Sequence, residues 1–552
     1  MTAGGKLRSL IILLALAAAL AISGCASVEG SAVSGRGVIH STPSSPAPGP
    51  GTIKHLTWWV YYRAPYSLDP VKNDDYPEDM IIENMCESMT RQVAGLKIIP
   101  WLATSWKWEN PLKLVIKLRH GVHFWNGDQM TSADVIYSML RNENPKTGSI
   151  GPGDMVYVRN LQADGPYELT VNFKRPDALF MSAMSYMAFD IMDKAWTQRH
   201  FSSVGNPSSG VMCTGPYMYK SWDGSTTLTM VRNPHYWNRS VHAHVLSATF
   251  VWPTDPATVA GGFRTGAFEG GFWIPPAVAQ QLSVSDMGHL YPGTVNGSLS
   301  IEVLQQLSKT GPIANRLVRT ALYESIDREG LAKVVWGGEA APAYTAAPPS
   351  YFSYQRKLFE AAYQPYVREG NDLAQARRLV REAGPIAKRP IILAVQGDDE
   401  AEVEEGEVIQ QSAARVGLNI QISAVSADTI GQLYASAKAR ERYNALLGSN
   451  WVDVANPLTM YQSFGYPGGI SNFNGFNDPK ITRLIDQAYA TFNLAKQARI
   501  TVQIQKQIMY DMPWIPLLED ETNTFMKNGI TGAPTDWSSL SSAWLADVGR
   551  SR

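Results

Sequence analysis

Ile391-Ile392-Leu393-Ala394-Val395, then Glu404 to Val416, then Leu418-Asn419-Ile420-Gln421-Ile422-Ser423 read as a strand, a helix and a second strand. The two apolar runs are short and rich in β-branched residues, which suits strands buried in a sheet. The helix is preceded by the acidic run Asp398-Asp399-Glu400-Ala401-Glu402-Val403-Glu404-Glu405. Carboxylates there favour the positive end of a helix macrodipole. The run lacks the glycine and oxygen spacing of a calcium loop. A β-α-β unit of this kind packs helices on a sheet, so the chain is expected to be α/β.

Outward from this unit, strands and helices alternate irregularly. Ile53 to Tyr61, Leu112 to Leu118 and Tyr167 to Phe173 have strand patterns, the second by strict alternation. Pro77 to Arg91 reads as a helix with Met80, Ile81, Asn84, Met85 and Ser88 on one side. Thr131 and Asp134 stand in capping-box spacing at another helix start. Further helices are expected over Ile313 to Ile326, Ala374 to Ala383, Pro479 to Phe492 and Ala495 to Met512. Pro513-Trp514-Ile515-Pro516-Leu517-Leu518 is too proline-rich for the interior of either element and reads as a crossing segment between lobes.

At the other end, Lys6 and Arg8 precede an apolar run, Leu10 to Gly24, that closes in Ile22-Ser23-Gly24-Cys25. This is the pattern of a secretory signal, residues 1–24, cut before a cysteine. Lipidation of Cys25 would hold the mature chain at the outer face of the cytoplasmic membrane without a spanning helix. Residues 25–52 are rich in Ser, Gly and Pro and cannot bury enough surface to fold. As a flexible tether they would carry the body on the order of 25 to 30 Å from the bilayer.

The body of the chain is too long for one core. Its formal net charge is −1 with interspersed signs, so no nucleic-acid surface or polybasic membrane patch is indicated. There are three cysteines. With Cys25 assigned to lipid, Cys86 and Cys213 are expected to pair in an oxidising compartment, two buried thiols being the alternative. No G-x-S-x-G, H-E-x-x-H, C-x-x-C or Walker loop occurs. His242-Ala243-His244 lacks nearby ligands in metal spacing. No catalytic residue, metal or cofactor is therefore expected, although the paired carboxylates of a glycosidase need not be close in sequence.

Several motifs follow one another in order. They are Ser67-Leu68-Asp69-Pro70, Asn84-Met85-Cys86-Glu87-Ser88-Met89, Pro100-Trp101-Leu102-Ala103-Thr104-Ser105-Trp106 and Asn126-Gly127-Asp128-Gln129-Met130-Thr131-Ser132-Ala133-Asp134-Val135. Cys213-Thr214-Gly215-Pro216-Tyr217, Asn233-Pro234-His235-Tyr236-Trp237 and Arg319-Thr320-Ala321-Leu322-Tyr323-Glu324-Ser325-Ile326-Asp327-Arg328 come next. In this order they resemble the family 5 extracellular solute-binding proteins, the dipeptide, oligopeptide and nickel class of ABC-transporter receptors. The resemblance implies a two-lobe periplasmic-binding-protein-like fold (type II, cluster C) with a subdomain inserted in lobe I. It places 53–98, 206–298 and 515–552 in lobe I, 99–205 in the subdomain and 299–514 in lobe II. Crossings near Ser298 to Ile301 and Pro513 to Pro516 would form the hinge.

In peptide-binding members an aspartate in a W-x-x-D-x-x-x-P segment holds the ligand's ammonium, which needs such a partner in a closed cleft. The corresponding segment is Asn450-Trp451-Val452-Asp453-Val454-Ala455-Asn456-Pro457, one residue short of that spacing. Asp453, Trp451 and Asn450 are the expected contacts on lobe II, with Phe473. Tyr61, Tyr62 and Arg63 lie on a loop that faces the cleft in relatives, and Thr214 and Gly215 would offer backbone groups. Each has a structural alternative in packing or turn formation. The function implied is a lipid-anchored, monomeric, non-enzymatic receptor that gives a small solute, a peptide first, to an ABC permease and ATPase. An oligosaccharide or other non-peptide ligand, and a regulator or scaffold of the same fold in the envelope, are the alternatives.

Overall fold

The computed structural model describes residues 47–551, apart from 74, 94, 95, 150, 151, 338, 339, 370, 453 and 455. Cys25 and the expected signal peptide lie outside the described residues, as does most of the tether. Among the described residues, no helix is long and apolar enough to cross a membrane.

The β-α-β unit is present as Pro390–Gln396, Glu400–Val416 and Asn419–Val425, with the two strands parallel and paired Ile391 to Ile420. Asp399 caps the helix by accepting from the Glu402 backbone N–H, and Gly417 ends it in the left-handed region at φ 91°. Among the described residues this unit forms one end of an eleven-stranded sheet. The order inward is Asn419–Val425, Pro390–Gln396, Ala445–Trp451, Gly288–Val303 and Trp514–Lys527. The sheet continues through Gly270–Gly271, Leu56–Trp59, Ser247–Val251, Thr227–Arg232 and Tyr217–Trp222. Ala340–Pro342 pairs separately with Trp514–Lys527.

Two long strands, Gly288–Val303 and Trp514–Lys527, occupy the middle and pair antiparallel from Gly288–Lys527 to Glu302–Trp514. They connect separate hydrophobic cores. The first gathers Leu56, Trp58, Met85, Phe250 and Phe272 with Met526 and Trp544. The second gathers Leu299, Ile301 and Val318 with Leu393, Leu447 and Leu518. On the opposite face of that half of the sheet, Leu304, Leu446, Phe464 and Trp514 build a further cluster.

The structure corrects the reading of 513–518. Trp514 opens a strand, and Pro516 lies within it, opposite Ser300. The register slips between Leu299 and Ser300, and a bulge is where a strand accommodates a proline. The Pro516 carbonyl is held by Arg328 Nε and Nη2 at 3.1 and 2.8 Å. The helix expected from Pro77 to Arg91 is also shorter, spanning Tyr76–Ile82. Beyond it the carbonyls of Asn84 and Met85 accept from Tyr217 and Gly215 at 3.1 and 2.9 Å. The chain then becomes the strand Thr90–Val93. Pairing with a distant segment replaces continuation of the helix.

The ordered motifs meet at buried polar hubs. Glu87 accepts from Trp101 Nε1 at 2.8 Å, Thr214 Oγ1 at 2.7 Å, Tyr236 Oη at 2.6 Å and Trp237 Nε1 at 2.9 Å. Beside it Cys86 and Cys213 form a disulfide with Cα atoms 4.9 Å apart. Asp69 receives Arg141 Nη2 on both oxygens, at 2.9 and 2.7 Å, with both residues buried. Arg319 ties the helix Arg316–Ser325 to the carbonyls of Asp511 and Met512.

Near Glu87, Glu83 and Asp190 are buried carboxyls, and neither Asp190 oxygen has a hydrogen-bond partner among the described residues. Burial, then neighbouring negative charge, holds both well above the ordinary carboxylate range, against the opposing charge of Arg91. A raised folded-state value means that this pair's contribution is complete below the unfolded value. It is lost as pH rises through the raised value. Asp190→Asn is therefore expected to raise the melting temperature at pH 7, with the gain shrinking towards pH 4. Equal destabilisation at both pH values would contradict this assignment.

Candidate functional site

The first side of the candidate site lies beyond the carboxyl ends of two adjacent parallel strands, Leu56–Trp59 and Gly270–Gly271. Open α/β sheets bind ligands at such ends. Gly270 leaves room for the Trp58 ring, since a Cβ there would lie 2.1 Å from Cζ3. The chain then turns sharply on both strands, with Tyr62 and Trp273 in the left-handed region at φ 46° and 50°. Tyr76 stacks on Trp273 with centroids 4.8 Å apart, and Tyr61 packs edge-on against Tyr62 at 4.9 Å. Each strained aromatic is held by a second ring.

Arg63 is anchored by the protein itself. Glu78 takes its Nη1 and Nη2 at 2.8 and 2.9 Å, and Asp75 takes Nη2 at 2.6 Å. Tyr62 Oη donates to Asp75 as well. One guanidinium between two carboxylates is fully neutralised, so this corner presents aromatic rings and residual negative charge. Burial pushes the Glu78 carboxyl up, while its bonds to Arg63 pull it down. Tyr61, Tyr62 and Arg63 thus come together as one loop. Asp75, Tyr76, Glu78 and Trp273 complete it and were missed by sequence reasoning. The glycine pair Gly270-Gly271 directly before Phe272-Trp273 was the available signal.

Thr214 and Gly215 are buried in the first core and engaged there. Thr214 donates to Glu87, and the Gly215 carbonyl accepts from Trp125 Nε1 at 3.2 Å and Asn233 Nδ2 at 3.0 Å. Their polar groups are thus engaged within the protein at the turn after Cys213. Phe473 is also buried, with Arg440 4.7 Å over its ring and Tyr434 at 5.8 Å. It packs the cluster around Trp514.

The second side is built on the middle of the sheet. Asn450 and Trp451 end the strand Ala445–Trp451, opposite Ser298 and Gly297. Asp453 lies outside the described residues. Asn456 caps the following helix, Pro457–Gly465, by accepting from the Leu458 N–H. Across the sheet, Asn450, Ser298, Glu519 and Ala341 stand abreast on four adjacent strands. At this row the two long strands fall out of step, with Thr294 opposite Glu521 but Ser298 opposite Glu519. Glu519 is buried and its Oε1 accepts the Ser350 N–H at 2.5 Å. Burial pushes its carboxyl up, against the Ser350 bonds and the charge of Arg356.

A second set of contacts joins the segment 157–179 to the second half of the chain. The Ala178 N–H donates to the Tyr489 carbonyl at 2.8 Å, and Arg175 pairs with Asp486. Tyr466 Oη donates to the same carboxylate at 2.9 Å. Arg175 lies 4.4 Å over the Tyr157 ring, whose hydroxyl burial pushes up to about 12. Leu179 packs with the cluster around Trp514, while Val454 packs with the first core.

The model of the bacterial extracellular solute-binding proteins, family 5, matches residues 97–472. The chain belongs to this family. Family 5 proteins are the substrate-binding components of ABC importers, not enzymes, and are extracytoplasmic. The glutathione-binding protein GsiB of Escherichia coli K12 is 23% identical over 474 residues, covering 84% of this chain and 89% of GsiB. Among solved structures, the periplasmic binding protein DppA from Helicobacter pylori in complex with the peptide STSA superposes with a TM-score of 0.75 at 19% identity. That match covers 91% of this chain and 99% of DppA. The binding protein AgaA with agropinic acid, from A. tumefacien R10, gives 0.75 at 17% identity over 90% and 99% of the two chains. The family 5 protein described here shares their type II periplasmic-binding-protein fold.

Proposed function

We propose that this protein is the lipid-anchored receptor of an ABC importer, closing two lobes on a small solute, a peptide first, and presenting it to the permease. Residues 53–98, 206–298 and 515–552 serve as lobe I, 99–205 as its inserted subdomain and 299–514 as lobe II. The observation that carries this reading is the pair of long strands joining separately packed cores. Two paired strands permit a rigid-body hinge, because the few residues where their register breaks absorb the rotation. The aromatic corner on one side and the strand ends beside Ser298 on the other are then the jaws. The contacts of Arg175 and Ala178 with Asp486 and Tyr489 close the mouth.

Peptide is favoured because GsiB is named for glutathione and DppA holds STSA. A non-peptide solute is the second reading, favoured by the shortened segment around Asp453 and by agropinic acid in AgaA. Lipid on Cys25 keeps the receptor at high effective concentration near the permease, provided the tether spans the gap. The test is a thermal-shift screen of peptide, oligosaccharide and metal-chelate pools, with native mass spectrometry of the purified protein. A solute at a hundred times its dissociation constant stabilises by about 2.7 kcal/mol. No shift with any pool and no copurified small molecule would favour a scaffold role.

A further inference from the structure

We propose that Glu519 is the anionic anchor of the solute site, taking a protonated amine of the solute with the Ser298 hydroxyl as a second acceptor. This rests on the receptor reading and specifies the chemistry of its ligand. Glu519 is 7% exposed and, among the described residues, takes part in no ion pair, the charge of Arg356 acting on it only from further away. The Ser350 N–H bonds its Oε1. Ionising a carboxyl buried there is costly, and a positive group arriving beside it would offset that cost.

The location fits a ligand. Glu519 and Ser298 form the last aligned pair before the two long strands slip out of register. Leu299 and Leu518, one step inward, already belong to the second core, whereas Met526 belongs to the first. The pair therefore sits where the cores part. Ser298 is 0% exposed and its Oγ has no hydrogen-bond partner among the described residues, and the same holds for Ser300. Directly paired residues in a sheet share a face, so the Ser298 hydroxyl and the Glu519 carboxylate point to the same side. Glu302 lies further along that face, and neither 298–303 nor 514–519 contains a lysine or arginine. Asn450 is next but one in the same row, about 10 Å from Glu519 at sheet spacing. Glu519 thus lies within one small solute's reach of the end of the strand Ala445–Trp451.

The experiment compares the parent protein, Glu519→Gln and Ser298→Ala by calorimetry. The probes are a pool of free-amine di- to pentapeptides, the same pool N-acetylated, neutral oligosaccharides and nickel–histidine chelate. Glutamine retains an acceptor for the Ser350 N–H, and circular dichroism with a melting curve checks that the fold is kept. The proposal expects an amine-bearing probe to bind the parent and to lose at least about thirtyfold in affinity in Glu519→Gln. Ser298→Ala should lose several-fold, and the acetylated pool should fail to compete. Equal affinity in Glu519→Gln, or tight binding of a probe without a cationic group, overturns the anchor and leaves the receptor standing. Failure of every probe to bind the parent counts against both.

Discussion

Arg141→Met is expected to destabilise the first core by about 3–5 kcal/mol, the range for removing one partner of a buried ion pair. Asp69 is 0% exposed and Arg141 4%, and one guanidinium nitrogen bonds both carboxylate oxygens. Removing the cation leaves a charge that water cannot reach. Lys72 approaches the same carboxylate at 3.5 Å, but its side chain is partly exposed and recovers only a fraction. Pairing Arg141→Met with Asp69→Leu should return much of the loss, because two apolar groups carry no unmet charge. Urea denaturation of both variants checks this. If the single variant unfolds at the parental midpoint, the pair does not hold the segment after the first strand to the helix Ser132–Arg141.

Removing the disulfide by Cys86→Ser with Cys213→Ser is expected to cost about 2–5 kcal/mol. The bond links residues 127 apart in sequence, so it restricts a large part of the unfolded chain. Both half-cystines are buried at 1% and 0% exposure, so reductant should act only once the core opens. Melting curves with and without dithiothreitol distinguish the cases. The parent should lose stability in reductant while the double-serine variant does not. Identical melting temperatures for parent and variant would contradict a stabilising role.

The fold was legible because its signals are local. The strand alternation at 113–118, the capping box at Thr131 and Asp134 and the β-α-β unit at 390–425 each depend on residues close in sequence. The colinear motifs were also legible, and the structure explains them as hubs: Glu87, Asp69, Arg319 and Arg328 join segments far apart. Such residues hold the lobes in shape and say little about the solute. Thr214 was drawn into the candidate site by its motif, although its hydroxyl serves Glu87.

The candidate site was less legible because its residues lie on strand ends that meet only through sheet register. Nothing in the spacing of Ser298, Asn450 and Glu519 places them abreast, and Trp273 meets Tyr76 only through packing. Pro516 misled for a related reason. A proline argues against a strand interior locally, while a bulge opposite Ser300 makes it acceptable.

The most direct test is small-angle X-ray scattering of the chain without its first 25 residues, before and after saturation with a solute that stabilises it. The account predicts a smaller radius of gyration in the saturated sample, as the two cores rotate together about the long strands. Superposable curves with and without saturating solute would contradict it.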